Sequence, residues 1–150
     1  MIPIQFKLTN ITTSQFAILE DMADITMSAD IYSELGFGVM IPEKNVVVSA
    51  QFRFKSDNKE VPFLIIETQN FFGIEENSWE SIYNAENSMI TLPKGFAQHL
   101  AVLSVGTARG VLHAKTEGTK FNICLLPLIN VEGMVAEDVI IDTKETEVHP

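Results

Sequence analysis

Apolar and polar residues alternate with period 2 along the middle of the chain, the spacing that sends every other side chain to one face of a sheet. Ile31, Ser33, Leu35, Phe37, Val39 and Ile41 form a first row, and Pro42-Glu43-Lys44-Asn45 reads as a turn. Val46, Val48, Ala50, Phe52 and Phe54 follow at once. They alternate with Val47, Ser49, Gln51, Arg53 and Lys55, so one face is apolar and the other becomes progressively polar. Ser56 to Lys59 supplies a second turn, and residues 61–74 return as a β-branched and aromatic strand. Short polar turns between neighbouring strands predict antiparallel pairing.

The pattern then changes period. Residues 75–89 carry Glu75, Glu76, Glu80 and Glu86, with Trp79, Ile82 and Tyr83 spaced for one helical face, which fits a short helix or a crossover loop. Thr91-Leu92-Pro93 has the form of a helix start, with proline in the first turn where its missing N–H does no harm. The spacing predicts a helix from Pro93 to about Ala114. Phe96, Leu100, Leu103 and Val111 make one stripe, and Ala97, Ala101, Ser104 and Ala108 make a second stripe of small side chains beside it. Val102, Val105 and Leu112 add apolar surface at further angles, more than one sheet contact needs. The helix is therefore expected to be buried on two sides, by its own sheet and by another subunit; a covering element of the same chain is the alternative. Thr116 to Lys120 breaks the pattern, and Phe121 to Leu126 fits a last strand or an extended connection before Pro127. From Glu132 onward six acids face one base, Lys144. Residues 1–141 are read as a single domain and 142–150 as an acidic, disordered tail.

Composition narrows the functional classes. A chain of 150 residues with 46% hydrophobic and 20% charged residues is ordinary for one globular domain. Its net charge of -10 would repel phosphate backbones and anionic lipid surfaces, which argues against nucleic-acid partners. A single cysteine, Cys124, excludes an intrachain disulfide and a zinc site built from several thiolates, in keeping with a reducing cytoplasm. The first residues, MIPIQFKLTN, do not have the form of a secretory signal. The longest apolar stretch, Ile123 to Val131, is interrupted by Pro127 and Asn130 and is far short of the ~20 residues of a membrane span. The reading is of a cytoplasmic protein without direct membrane insertion.

Catalytic and cofactor patterns fail on their contexts. His99 and His113 sit on one predicted helix at a separation of roughly 21 Å along its axis, too far to share a metal, and His149 is in the tail. Gly118-Thr119-Lys120 ends like a phosphate-binding loop, but His113 occupies the earlier glycine position. Cys124 has no basic neighbour to activate it. Glu67 interrupts a hydrophobic strand, and a place on the wet face accounts for it. Gly106 and Gly110 suggest close backbone packing or helix termination. No enzyme, cofactor or metal is expected. What remains is an apolar cluster around the sheet-to-helix passage: Phe63, Phe71, Phe72, Ile74, Trp79, Ile82 and Tyr83. Such a cluster is either core or a groove for apolar segments of other polypeptides.

The order of these pieces resembles the SecB-like protein-export chaperones. The resemblance rests on Pro62-Phe63-Leu64 and Phe72-Gly73-Ile74 closing a hairpin region, and on Leu92-Pro93 opening a helix that reaches Ala108-Arg109-Gly110. Leu126-Pro127-Leu128-Ile129-Asn130 follows. It spans residues 31–131. It implies an α+β fold, a four-stranded antiparallel sheet with a long helix packed on one face, assembled as a homotetrameric dimer of dimers. The implied activity is ATP-independent binding of unfolded or preprotein chains in apolar grooves, with SecA as a candidate partner in protein export. Some relatives instead protect an antitoxin in toxin-antitoxin pairs. By position, Phe63, Phe71, Phe72 and Trp79 are the expected groove, backed by Leu64, Ile74 and Ile82, and Ala97, Ala101, Ser104 and Ala108 are the expected oligomer interface. Three features depart from that pattern: an extra stretch from Val111 to Lys120, only Val131 to Ile141 available for a final helix, and Ile65 or Ile66 where the SecA-facing strand carries an acid. A non-catalytic adaptor with buried aromatics is the competing expectation.

Overall fold

A computed structural model describes residues 3–24, 29–57 and 59–146. Four long strands form one antiparallel sheet: β1 (Phe6–Ile18), β2 (Ala29–Met40), β3 (Asn45–Ser56) and β4 (Leu64–Ile74). Their spatial order is β1-β4-β3-β2. Three hairpin-linked strands, with β1 returning beside β4, make a Greek key. The β2–β3 turn closes with Lys44 N–H donating to the Ile41 carbonyl at 3.1 Å, and Lys44 itself takes φ 52°. The connection from β1 to β2 crosses the end of the sheet, where Leu19 N–H donates to the Phe63 carbonyl at 2.7 Å and Asp24 N–H to Ser56 Oγ at 2.9 Å.

After β4 come α1 (Glu76–Ile82), the short strands β5 (Tyr83–Asn84) and β6 (Met89–Leu92), and the long helix α2 (Lys94–Thr116). A 3-10 turn (Lys120–Ile123) leads through an irregular stretch to α3 (Val131–Met134), β7 (Val139–Asp142) and α4 (Thr143–Thr146). β5, β6 and β7 form a second, three-stranded sheet. The tail expectation placed Asp142 outside the domain, whereas here it ends a paired strand. Thr143 is buried, with its N–H and hydroxyl both donating to the Ser88 carbonyl at 2.8 Å. Alternation of Val139 and Ile141 drives that pairing despite the surrounding acids. Residues 147–150 lie outside the described residues.

One face of the main sheet is dry. Val46, Val48, Ala50, Phe52 and Phe54 of β3, with Leu64, Ile66 and Phe72 of β4, are buried beneath α2. Each such side chain contributes ~1.5–3 kcal/mol on burial. The other face carries the alternate residues, a polar array in which Glu67 accepts from Ser14 Oγ (2.6 Å) and Gln51 Nε2 (3.1 Å). The wet-face account of Glu67 is the one the structure supports.

The helix corrects the stripe assignment. Ala97, Ala101, Ser104 and Ala108, expected at a subunit contact, are fully buried against the chain's own sheet. Small side chains allow the helix to approach the bulky aromatic face closely, so they pack inward with Leu100, Val105 and Leu112. Leu103, which the spacing puts in one stripe with the buried Leu100, is 40% exposed, and Val102 is 54% exposed. Gly106 and Gly110 face open space and the helix runs on past them, so within the chain they serve neither close packing nor termination. Part of the second cover of α2 comes from the same chain. Gln98 Nε2 donates to the Val135 carbonyl (2.8 Å), and Arg109 holds the carbonyls of Leu126 (3.0 Å) and Pro127 (2.8 Å).

Candidate functional site

The structure disperses the expected aromatic groove. Phe63 and Ile74 stand at opposite ends of β4, separated by roughly 33 Å of strand, and cannot line one compact pocket. Phe63 packs between Phe54 (6.3 Å between ring centroids) and Phe121 (6.2 Å), and Leu64 beside it is fully buried. Phe72 is in the core, with its ring edge-on to Phe6 at 5.7 Å. Ile74 is buried where β4 ends, and Trp79 and Ile82 are buried on the inner side of α1, with Trp79 5.8 Å from Tyr83. Phe71 lies on the opposite, open face of the sheet and is half-buried. The sequence-level cluster is therefore largely core. Strand alternation separates Phe71 from Phe72, and strand length separates Phe63 from the rest.

A different concavity is present. A cleft of about 1150 Å³ opens between the segment Pro3–Gln5, the start of α1 and the first turn of α2. Pro3, Ile4, Ile82, Pro93 and Phe96 supply most of its apolar surface, and Ile82 alone comes from the expected groove. Each wall has a local cause. α1 begins at Glu75, whose carboxylate accepts from the N–H groups of Asn77 (3.1 Å) and Ser78 (3.2 Å), so the charge is spent on the helix end. Pro93 precedes α2, whose first N–H, that of Lys94, donates to Asp138 Oδ1 at 2.8 Å. Gly95 leaves the wall open, since a Cβ there would meet nothing within 4 Å. Pro3–Gln5 is fixed by Gln5 N–H donating to Ser78 Oγ (2.9 Å) and by Glu75 N–H donating to the Gln5 carbonyl (2.9 Å).

Chemically the cleft offers apolar surface rimmed by amide and hydroxyl groups. Among the described residues, Glu75 is its one charged lining residue. Sequence reasoning missed Pro3, Ile4 and Gln5, although the alternation of Ile4, Phe6 and Leu8 was a readable signal of an extended segment. It also missed Phe96 as a wall, having read it only as part of a stripe with Leu100, Leu103 and Val111.

A second apolar surface flanks the helix. Leu8 and Ile11 of β1 are 48% and 42% exposed, and their strand register places them on the α2 side of the sheet. On α2, Leu103 lies on the flank marked by the Phe6–Phe96 contact (5.5 Å) and the Asn70 Nδ2 to Thr107 Oγ1 bond (3.1 Å), and Val102 lies on the outer face, toward Gln98 and Arg109.

The titratable groups offer little chemistry. His99 is an exposed edge neighbour of Phe6, and His113 lies beside Asn122; His149 lies outside the described residues. Burial pushes the Cys124 thiol pKa up, the direction opposite to activation. Among the described residues no three His, Cys, Asp or Glu side chains cluster to hold a metal ion, and no helix is long and apolar enough to cross a membrane. No known protein family, curated protein or solved structure matches the chain.

Proposed function

We propose that this chain is a non-catalytic polypeptide-binding protein, an ATP-independent holdase of the SecB-like kind that takes apolar segments of unfolded or preprotein chains. The observation that carries the reading is the cleft of about 1150 Å³ with its mostly apolar walls, a volume suited to a few side chains of an extended client. The order of the sequence motifs and the Greek-key sheet under a long helix support the same reading. In its narrower form the clients are export substrates passed on to SecA. The proposed assembly is a homo-oligomer joined through Leu8, Ile11, Val102 and Leu103, which replace the small-residue stripe as the self-association surface.

The test is suppression of aggregation of a reduced model protein, followed by light scattering without ATP, for the wild-type chain and for Gly95→Trp. A Cβ at Gly95 meets nothing within 4 Å on the lining of the cleft, and glycine is among the poorer helix formers, so the substitution is compatible with the helix. Wild type suppresses aggregation and Gly95→Trp does not, with unchanged circular dichroism. Equal suppression by both proteins removes the cleft from the reading.

One observation favours the competing adaptor reading, in which a single folded partner is bound. Phe63, Phe72 and Trp79 are already saturated by contacts within the chain, as that reading expects. Folded wild-type protein without any suppression would decide for it, including its form as a dedicated protector of one antitoxin.

A further inference from the structure

Resting on the holdase reading, we infer that Pro3–Phe6 is an intramolecular strap that occupies part of the client site and must be displaced by an extended client segment. Four observations point to it. The strap is a wall of the cleft, not a bystander, since Pro3, Ile4 and Gln5 all line it. It has the conformation a client would take: it continues β1 outward past the last register pair, Phe6 opposite Ile74, and its Gln5 carbonyl accepts from the Glu75 N–H as a further rung. Its apolar side chains alternate as a client's would, Ile4 against the core and Phe6 edge-on to Phe72 and Phe96. Its outer part is held lightly: among the described residues, the bond from Gln5 N–H to Ser78 Oγ and the rung to Glu75 are the hydrogen bonds that fix residues 3–5.

A segment held this way opens at a small fraction of the global unfolding free energy. Release leaves the Glu75 N–H free just past the end of β4, next to the apolar surface of Ile82 and Phe96. An incoming strand with apolar residues two apart can take the same rung and the same surface, the mode of strand addition. The closed strap reduces the apparent affinity by the fraction of open molecules. The device favours long, persistently unfolded segments over short apolar stretches that a folding protein exposes for a moment.

The experiment uses the full chain and a reduced, carboxymethylated protein that stays unfolded as the client. Affinity is measured for wild type and for Ser78→Ala, which removes the acceptor of the Gln5 N–H, and hydrogen exchange at the Gln5 amide is followed in both. Losing one such bond is expected to tighten client binding about fivefold. Exchange at Gln5 is expected to speed up in the variant, and in wild type to speed up when client is added. Client binding with unchanged affinity in Ser78→Ala, or with Gln5 more protected on binding, overturns the strap while leaving the holdase reading standing. No client binding by either protein overturns both. Gly95→Trp, which alters the cleft at the α2 wall and leaves both strap hydrogen bonds in place, is expected to lose binding with the Gln5 exchange rate no faster than in wild type; the cleft and the strap are thereby read separately.

Discussion

Two apolar regions of this chain are built from the same residue types and end in opposite states. Beneath α2, Phe52, Phe54, Leu64, Ile66 and Phe72 meet Leu100, Val105 and Leu112 and are closed to solvent. Around the start of α2 and along β1, Ile4, Phe96, Leu8, Ile11, Val102 and Leu103 remain partly or largely exposed. What distinguishes them is supply of partners, not hydrophobicity. The inner face of β3 and β4 receives a helix whose small residues let it sit close. β1 lies at the sheet edge, beyond the width that one helix covers, and the first turn of α2 overhangs the end of the sheet. An aromatic-rich segment is thus the poorer guide to a binding surface in this fold, because the strongest apolar residues are the first to be covered by the chain itself.

The largest way to break this contrast is Phe72→Ala. Its ring is in the core against Phe6, so its loss is expected to cost ~3–5 kcal/mol in urea unfolding. Client binding by the molecules that remain folded is expected to be kept, and to tighten as far as the lost Phe6–Phe72 contact loosens the strap. A variant that keeps its stability and loses client binding would place Phe72 in the open region and reverse the assignment. The single tryptophan gives an independent reading: Trp79 is expected to resist quenching by iodide until the protein unfolds.

Much of the covered region was legible in the sequence, because β2 and β3 alternate along their length and β4 is rich in β-branched and aromatic residues between turn signals. β1 was not. Its register slips between Leu8 and Asn10 and again between Thr13 and Gln15, and each bulge moves the apolar phase by one residue. Phe6, Leu8, Ile11, Phe16 and Ile18 consequently share one face without sharing one period. The helix was legible in length but not in orientation: Ala97, Ala101, Ser104 and Ala108 suggest a helix–helix contact, whereas a sheet bearing Phe52 and Phe72 equally demands small partners. The cleft was illegible for a different reason. Pro3, Ile82 and Phe96 come from three elements that only the tertiary fold brings together.

A smaller effect sharpens the contrast from within the covered region. Thr68 Oγ1 and Asn70 Oδ1 are buried beneath α2 without a hydrogen-bond partner among the described residues. A buried hydroxyl that has left water and found no acceptor or donor is a net cost. Thr68→Val keeps the β-branched shape and removes that oxygen, so it is expected to stabilise the fold by ~1 kcal/mol in the same urea titration. A loss of stability would mean that the hydroxyl is satisfied, and that the seam beneath α2 is wetter than the dry packing described for it.

The smallest expected change in stability belongs to the open region and carries the most information about assembly. Val102 touches little of its own chain, so Val102→Asp is expected to shift unfolding by no more than about 0.5 kcal/mol per protomer. A carboxylate placed there would have to be desolvated by any second copy seated on α2, and a buried unpaired charge is expensive. Sedimentation should therefore show wild type as an oligomer and the variant as a smaller species, with the same circular dichroism. Unchanged mass would move self-association away from the outer face of α2, and would leave Val102 and Leu103 as apolar surface available to clients alongside the cleft.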